Sequence, residues 1–136
     1  GITFQNFVGK RGWVHSAALG KAMLAPLPED KVRKLLESYT LEPITEHTLS
    51  TVDDVMADLA VTRERGYALD DQENELGGRC VSAAIFNHLN QPIAAISISV
   101  PLPRIPREKI PYYGTKVSEV AGQISARLGY DLLNKF

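Results

Sequence analysis

The sequence predicts a single α+β domain in which an antiparallel sheet is flanked by helices. Apolar residues recur at helical spacing before Gly66 and again near the C-terminus, which indicates amphipathic helices. Between these regions, two segments alternate large aliphatic residues with small ones, as paired strands do. The 136 residues, 44% of them hydrophobic, suffice for one compact domain with a hydrophobic core but not for two domains.

Residues that start or stop helices set the bounds of the predicted elements. Ser16 and Thr51 are candidate helix caps, Pro26 ends the first helix, and Gly66 ends the third because it tolerates a left-handed conformation. In chain order, the predicted elements are a strand over residues 2–8, helices over 17–25, from 28 and from 52, strands over 67–70, 79–87 and 92–100, and a helix over 117–128.

Two of the predicted helices carry an apolar stripe, which we expect to be buried because it repeats at intervals of three and four residues. The stripes are Val32, Leu35 and Leu36 in the second helix and Val117, Val120, Ala121 and Ile124 in the last. Residues 42–50 show no such period and predict a connecting loop. Pro101, Pro103 and Pro106 predict an extended connection before the last helix.

The two long predicted strands form a hairpin whose register decides which side chains share a face. A four-residue loop over residues 88–91 predicts the pairs Asn87–Pro92, Ser82–Ser97 and Cys80–Ser99. An odd loop would place serines beside valines, where their burial is costly without hydrogen-bond partners. We therefore expect an aliphatic face with Val81, Ile85, Ile96 and Ile98, and an opposite face with Cys80, Ser82, Ser97 and Ser99.

The face with small side chains is a candidate floor for a ligand. Small side chains leave volume above a sheet, and hydroxyl groups supply a few oriented hydrogen bonds, which is the usual composition of a small-molecule pocket. Alternatively, a helix packs closely on this face and the serine hydroxyls bond to the backbone. The residue types alone leave both interpretations open.

Charge and cysteine content argue against several classes of protein. Fifteen Lys and Arg against sixteen Asp and Glu give a formal net charge of −1, which is atypical of nucleic-acid-binding surfaces and of polybasic membrane binders. The single cysteine cannot form an internal disulfide, and the sequence contains no recognisable signal peptide or membrane-spanning run. We therefore expect a cytoplasmic domain with no membrane contact.

The hairpin and the loop before it resemble a known family. Nine positions reproduce, with their spacing, the pattern of the IclR family of bacterial transcription regulators: Gly66, Asp70, Glu73, Cys80, Val81, Ser82, Ile85, Phe86 and Asn87. The stretch HSAALGKAMLA at residues 15–25 resembles the family's Gly-Lys-Ala helix, and Thr48 resembles its loop threonine. The family often has Asp at Asn87, which lies within this pattern, and Gly at Asn90 and Val100, and these differences affect details of the turns but not the site.

The resemblance implies a C-terminal effector-binding domain with a GAF/profilin-like fold. Residues 1–136 would form this one domain without the family's opening helix and first strands, and without its winged helix-turn-helix DNA-binding domain. The implied partner is a small effector, an organic acid or sugar acid, bound by a homodimer or homotetramer that contacts DNA only through the absent domain. The resemblance implies no enzyme activity, no cofactor and no metal.

In the family, the effector lies between the Gly-Lys-Ala helix, the loop after the short strand and the hairpin floor. Carried over by position, the implied ligand-binding residues are Ala18, Leu19, Asp70, Gly78, Cys80, Ser97 and Ser99. Free N–H groups at the helix start would hold a carboxylate, because no residue within the helix accepts from them. Asp70 would accept a hydrogen bond from a ligand hydroxyl.

Two other functions stay open. A small enzyme would use Cys80 or Asp70, although the sequence places no histidine beside Cys80 as a base, and no metal-ligand spacing is recognisable. An oligomerisation module would fill the polar face with a neighbouring subunit. Independently of function, we expect Glu73 to bond loop N–H groups, and Lys21 to be solvated or to bond a carbonyl at a subunit contact.

Overall fold

The computed structural model describes residues 8–130, and its architecture confirms the predicted α+β class. Of the predicted strand over residues 2–8, only Val8 is described, and it lies in a turn. The helices and strands are α1 (Ala18–Leu24), α2 (Glu29–Glu37), α3 (Val52–Arg65), β1 (Ala68–Asp71), β2 (Gly78–Phe86), β3 (Pro92–Pro101) and α4 (Ile110–Arg127). Two short 3-10 helices, Leu102–Arg104 and Arg107–Lys109, lie between β3 and α4.

The described strands form one antiparallel sheet in the order β1-β2-β3. As predicted, Ser82 pairs with Ser97 and Cys80 pairs with Ser99. Near the turn the prediction is wrong, because Pro92 pairs with Phe86 and not with Asn87.

A β-bulge explains why the odd connection leaves the two faces of the hairpin intact. The connection covers residues 87–91, and Ile93 is an extra residue in β3 at the shift of register. The Asn87 N–H donates to the Gln91 carbonyl at 3.0 Å, and Asn90 adopts the left-handed conformation that the turn needs. The bulge compensates the odd loop, so that large and small side chains still separate onto opposite faces.

The two predicted helix caps have different outcomes. The Thr51 hydroxyl accepts from the Asp54 N–H at 3.2 Å, which confirms the cap of α3. Ser16 does not cap α1, because its hydroxyl donates to the side chain of Asn74 at 2.8 Å and Ala17 is the N-cap residue. A partner distant in the sequence therefore takes the hydroxyl that local reasoning assigned to the helix.

The last helix starts earlier than the apolar pattern predicts. Pro111 lies in the first turn of α4, where a backbone N–H is not needed, so the helix tolerates it. In the connection before it, Pro101 and Pro106 are extended as expected, whereas Pro103 lies inside a 3-10 helix.

Helices cover both faces of the sheet. On the aliphatic face, α4 and flanking residues complete a core of Tyr67, Val81, Ala83, Ile85, Ile105, Ile110, Val117 and Ala121. Ile96 and Ile98 of β3 border this core and are only partly buried. On the opposite face, Ala18 and Ala22 of α1 pack against Ala68, Cys80 and Ala95.

The buried stripes of α2 and α4 are narrower than predicted. Val32 and Leu36 are buried in a second core between α1, α2 and α3, but Leu35 is 45% exposed. Likewise, Val117 and Ala121 are buried in α4, whereas Val120 is 44% exposed. Each helix packs against its core along one side, so residues at the margin of the stripe stay in contact with solvent.

Two glycines of α4 give a matched test of how this helix packs. A Cβ at Gly114 would lie 2.5 Å from the Tyr67 ring, whereas a Cβ at Gly122 would have no neighbour within 4 Å. We expect Gly114→Ala to lower the free energy of unfolding by about 1–3 kcal/mol through overpacking. Gly122→Ala should raise it by about 0.5–1 kcal/mol through helix propensity. Urea denaturation measures both, and equal stabilities would contradict the close approach of α4 to Tyr67.

Candidate functional site

A row of polar side chains crosses the sheet on the face opposite α4. Asp70 of β1 pairs with Cys80 of β2, which pairs with Ser99 of β3. Side chains of directly paired residues lie on the same face of a sheet. The next row on this face contains Ser82 and Ser97. The fold thus brings together four of the residues that the sequence marked as ligand-binding.

Burial falls along the row from β1 to β3. Asp70 is buried, Cys80 and Ser97 are half-buried, and Ser99 is exposed. The Ser97 and Ser99 hydroxyl groups form a hydrogen bond of 3.2 Å with each other at the solvent-exposed β3 end. In contrast, the fully buried Ser82 donates to the Ile96 carbonyl at 2.7 Å, as the alternative interpretation of the serines expected. The alternative interpretation therefore holds for Ser82, whereas a ligand floor at Ser97 and Ser99 stays a prediction.

The start of α1 lies over the same face of the sheet. Ala18 packs against Ala68 and Cys80, while the side chain of Leu19 points outward and is largely exposed. The N-cap residue Ala17 offers no side-chain oxygen, so the N–H groups of the first turn lack this partner. Gly20 is needed here because a Cβ would lie 2.6 Å from the backbone of Val14.

Asp70 organises the loop that follows β1. Its Oδ1 accepts from the N–H groups of Glu73 at 2.8 Å and Asn74 at 3.2 Å. Burial raises the pKa of Asp70 from 3.8 to about 7, and the Glu73 carboxylate adds to this rise, whereas these N–H bonds and the Lys21 charge oppose it. Near neutral pH, Asp70 can therefore serve both as an acceptor and, when protonated, as a donor.

Two threonines brace this loop from the segment before α3. The Thr45 hydroxyl donates to the Gln72 carbonyl and the Thr48 hydroxyl donates to the Glu73 carbonyl, each at 2.6 Å. At the far end of the loop, the Gly78 carbonyl accepts from the Gln72 N–H at 2.9 Å. Gly78 thus closes the loop at the entrance to β2, next to the polar row.

Cys80 is poorly suited to act as a nucleophile. Burial raises the pKa of its thiol to about 11. A hydrogen bond with Ser99 lowers this pKa, and the nearby Asp70 carboxylate raises it further. The reactive form of a cysteine is the thiolate, which such a pKa disfavours at neutral pH. His88 lies in the turn beyond the opposite end of β2, and His15 Nε2 is bonded to the Glu42 carbonyl at 2.9 Å.

Lys21 is the functional candidate that sequence reasoning missed. The prediction of a solvated lysine or a subunit contact is wrong, because Lys21 is 0% exposed and bonds Asp58, Glu73 and the Leu69 carbonyl within the domain. Lys21 shares its helix face with Ala18, Ala22 and Ala25. A lysine on a face otherwise made of alanines was the sequence signal that could have predicted its burial. Glu73 also accepts from the Asp71 N–H at 3.1 Å, as expected.

The chain matches, over residues 2–126, the family model described as Bacterial transcriptional regulator IclR C-terminal. It belongs to the IclR family. Among curated relatives of this IclR-family domain, the Transcriptional repressor IclR of Escherichia coli K12 is 40% identical over 122 residues, which cover 90% of this chain and 44% of the relative. The HTH-type transcriptional regulator XynR of the same organism is 38% identical over 90% of this chain and 49% of its own length. The chain thus spans about half the length of these relatives.

Solved structures of IclR-family proteins share the fold. The Agobacterium tumefaciens repressor BlcR superposes with a TM-score of 0.86 at 31% identity, covering 93% of this chain and 51% of that one. The C-terminal domain of the E. coli regulator KdgR gives a TM-score of 0.83 at 34% identity, covering 90% of this chain and 74% of that one. These relatives identify the chain as an IclR-family C-terminal regulatory domain.

The seven residues implied as ligand-binding surround one region of this IclR-family domain. Asp70, Cys80, Ser97 and Ser99 form its floor, and Ala18, Leu19 and Gly78 belong to the elements that border it. A separate cavity of about 640 Å³ lies between α1, α3, β2 and α4, lined mainly by small and apolar residues, and none of the seven lines it. The cavity is therefore distinct from the row Asp70–Cys80–Ser99, although Ser82 of the neighbouring row lines it.

The described residues contain neither a cluster of metal-ligating side chains nor a membrane-spanning helix. Between residues 8 and 130, no three His, Cys, Asp or Glu side chains come together in a way that would hold a metal ion. In the same range, no helix combines the length and hydrophobicity needed to cross a membrane.

The raised pKa of Asp70 predicts how stability depends on pH. The folded state holds the Asp70 proton up to about pH 7, whereas the unfolded state releases it near 3.8, so acid stabilises the fold between these values. We expect the free energy of unfolding of the wild-type protein to fall, relative to Asp70→Asn, by up to about 4 kcal/mol as the pH rises through this range. Urea denaturation of both proteins from about pH 4 to pH 7 measures this. Parallel profiles would show that Asp70 titrates normally.

Proposed function

We propose that this domain binds a small carboxylate effector and thereby controls DNA binding by the full-length transcription regulator. The observation that carries the proposal is the polar row Asp70–Cys80–Ser99, which opens toward solvent at β3 beside the first turn of α1. Membership of a family of transcription regulators supports a regulatory role for a ligand bound there. Binding shifts the regulator between states only if the ligand binds them with different affinity.

The donors around the floor favour an anionic ligand. The N–H groups of Ala18 and Leu19 begin α1, and the hydrogen-bonded pair of Ser97 and Ser99 adds hydroxyl groups on the opposite side. Because α1 has only seven residues, direct N–H bonds contribute more here than the helix dipole does. We propose that these groups hold the carboxylate and that Asp70, when ionised, accepts from a hydroxyl of the ligand.

Two observations favour ligand sensing over the other functions. Against a Cys80 enzyme, the pKa of the thiol is raised to about 11, and neither His15 nor His88 is placed as its base. The solvent-accessible position of Ser97 and Ser99 within this subunit leaves room for a ligand. We infer a binding domain that is not an enzyme and needs no cofactor or metal.

The domain would act as part of a longer regulator. We propose that residues 1–136 are one domain, and that a winged helix-turn-helix domain outside this chain makes the contact with DNA. We also propose that the edge of β3, which pairs with no further strand among residues 8–130, receives the first strands of the complete domain. The assembly would be a cytoplasmic homodimer or homotetramer, without membrane contact.

A thermal-shift screen followed by titration calorimetry tests the function. Propionate, lactate, pyruvate and gluconate share a carboxylate but differ in their hydroxyl and carbonyl groups. An acid that binds only the folded domain raises its melting temperature, and calorimetry then gives its affinity. If none of the four acids, nor any other small carboxylate or sugar acid in the screen, shifts the melting temperature, the proposal of a carboxylate effector fails.

Removing a floor hydroxyl should weaken binding without unfolding the domain. A hydroxyl–carboxylate hydrogen bond contributes about 1.5–3 kcal/mol, so Ser97→Ala should lower the affinity for a bound acid about tenfold to a hundredfold. Ser82→Ala is the matched control, because its hydroxyl bonds the Ile96 carbonyl and is not available to a ligand. Equal losses of affinity in both variants would place the ligand elsewhere.

Asp70 should discriminate between acids with and without a hydroxyl group. We expect Asp70→Ala to weaken the binding of lactate about tenfold more than that of propionate, because only lactate offers a hydroxyl to the carboxylate. Cys80→Ser, which is nearly isosteric, should bind both acids as the wild type does. Calorimetry on the three proteins decides the point, and a uniform loss for both acids would contradict a role for Asp70 in recognising the hydroxyl.

A further inference from the structure

A buried ammonium group joins the two sides of the candidate site. Lys21 Nζ donates to Asp58 Oδ2 at 2.8 Å, to Glu73 Oε1 at 2.9 Å and to the Leu69 carbonyl. Lys21 is 0% exposed, so its three N–H bonds point at three fixed protein acceptors. These acceptors belong to α3, to the loop after β1 and to β1 itself.

Because Lys21 is buried, its ammonium group requires these acceptors at fixed positions. An ammonium group buried without partners is strongly destabilising, so the acceptors cannot move away while Lys21 stays in place. Glu73 is held at both ends, because its carboxylate accepts from Lys21 and from the Asp71 N–H, while its own N–H donates to Asp70. A shift of α1 would therefore pull on the loop that carries Asp70.

The position of Lys21 in the chain relates it to the site. It lies one helical turn after Ala18 in α1, and its acceptor Leu69 directly precedes Asp70 in β1. The first turn of α1 and the Asp70 carboxylate are the two sides between which a ligand carboxylate and its hydroxyl would lie. Lys21 therefore ties the two sides together from within the domain, in addition to the hydrogen bond between Ser16 and Asn74.

We propose that Lys21 is a positioning residue for effector recognition, which holds the first turn of α1 and the Asp70 loop at the separation that the ligand requires. The inference rests on the proposed function, since it assigns the separation to a bound carboxylate. Lys21 itself is fully buried and does not contact the ligand.

The pKa of Asp70 depends on the charges around it, so its titration is a measurement that a change in packing alone would not shift. The groups involved are Lys21 of α1, Asp58 of α3, Glu73 of the loop and Cys80 of β2. The Lys21 charge lowers the pKa of Asp70, and the Glu73 charge raises it. Removal of the lysine charge should therefore move the Asp70 titration to higher pH, and removal of the glutamate charge should move it to lower pH.

The first experiment needs no ligand. Lys21→Met keeps the volume of the side chain and removes its charge, and Glu73→Gln keeps an acceptor for Lys21. Carboxyl ¹³C shifts of Asp70 are followed against pH in both variants, and amide hydrogen exchange is measured over residues 69–78. We expect opposite shifts of the Asp70 midpoint and about tenfold faster exchange of this segment in Lys21→Met. If Lys21→Met fails to fold, the downward shift of the Asp70 midpoint in Glu73→Gln still tests whether the charges of this cluster control the Asp70 titration.

Two controls separate positioning from general destabilisation. Val117→Ala weakens the core on the opposite face of the sheet, and Arg33→Met removes an exposed ion pair with Asp53. Neither should alter the Asp70 midpoint or the exchange of residues 69–78 beyond its effect on global stability. An unchanged Asp70 midpoint in Lys21→Met and Glu73→Gln, or equal exchange in Lys21→Met and Val117→Ala, would overturn the proposal.

Lactate titration connects the result to recognition. If lactate binds the wild-type domain, Lys21→Met should lose about tenfold or more in affinity, while Val117→Ala should retain the wild-type value. Retained affinity in Lys21→Met would overturn its role in recognition. If no acid binds the wild-type domain, the proposed function fails and recognition with it, while the exchange and titration data still decide whether Lys21 holds the loop.

Discussion

The bulge at Ile93 keeps the two faces of the sheet distinct, and the rest of the structure depends on it. Side chains alternate along a strand, so the five-residue connection over residues 87–91 would by itself exchange the faces of β3. The serines would then meet α4, and the isoleucines would lie beneath α1. One extra residue in β3 restores the alternation. The core under α4 and the polar row beside α1 are therefore two consequences of one register.

The buried cluster of Lys21, Asp58 and Glu73 is the second feature that holds the site together. The small residues Ala18 and Ala22 bring α1 close to the sheet, and Lys21 extends from the same side into the space between α1, α3 and β1. Its ion pairs hold the loop whose N–H groups in turn bond Asp70. Lys21 thus holds the loop that contacts Asp70, a carboxyl group whose pKa is raised mainly by its own burial.

Patterns that depend on neighbouring residues were predicted well. The helical periods, the Thr51 cap and the Gly66 terminus follow from local geometry, and the structure confirms them. The pairing of Ser82 with Ser97 is also confirmed, although it was predicted from a four-residue loop and results from a five-residue connection with a bulge. Errors arose where distant residues compete. Ser16 bonds Asn74 and not its own helix, and Leu35 and Val120 are exposed because the partner elements cover only part of each stripe.

The sequence by itself determined the class of fold, the two faces of the hairpin and, through the spacing of nine residues, the family. Only the tertiary structure decided which polar groups are buried and with what partners. Lys21 finds Asp58 and Glu73, which lie 37 and 52 residues away along the chain. Periodicity reports on residues a few positions apart, whereas the cost of burying a charge is met by groups that only the folded chain brings together.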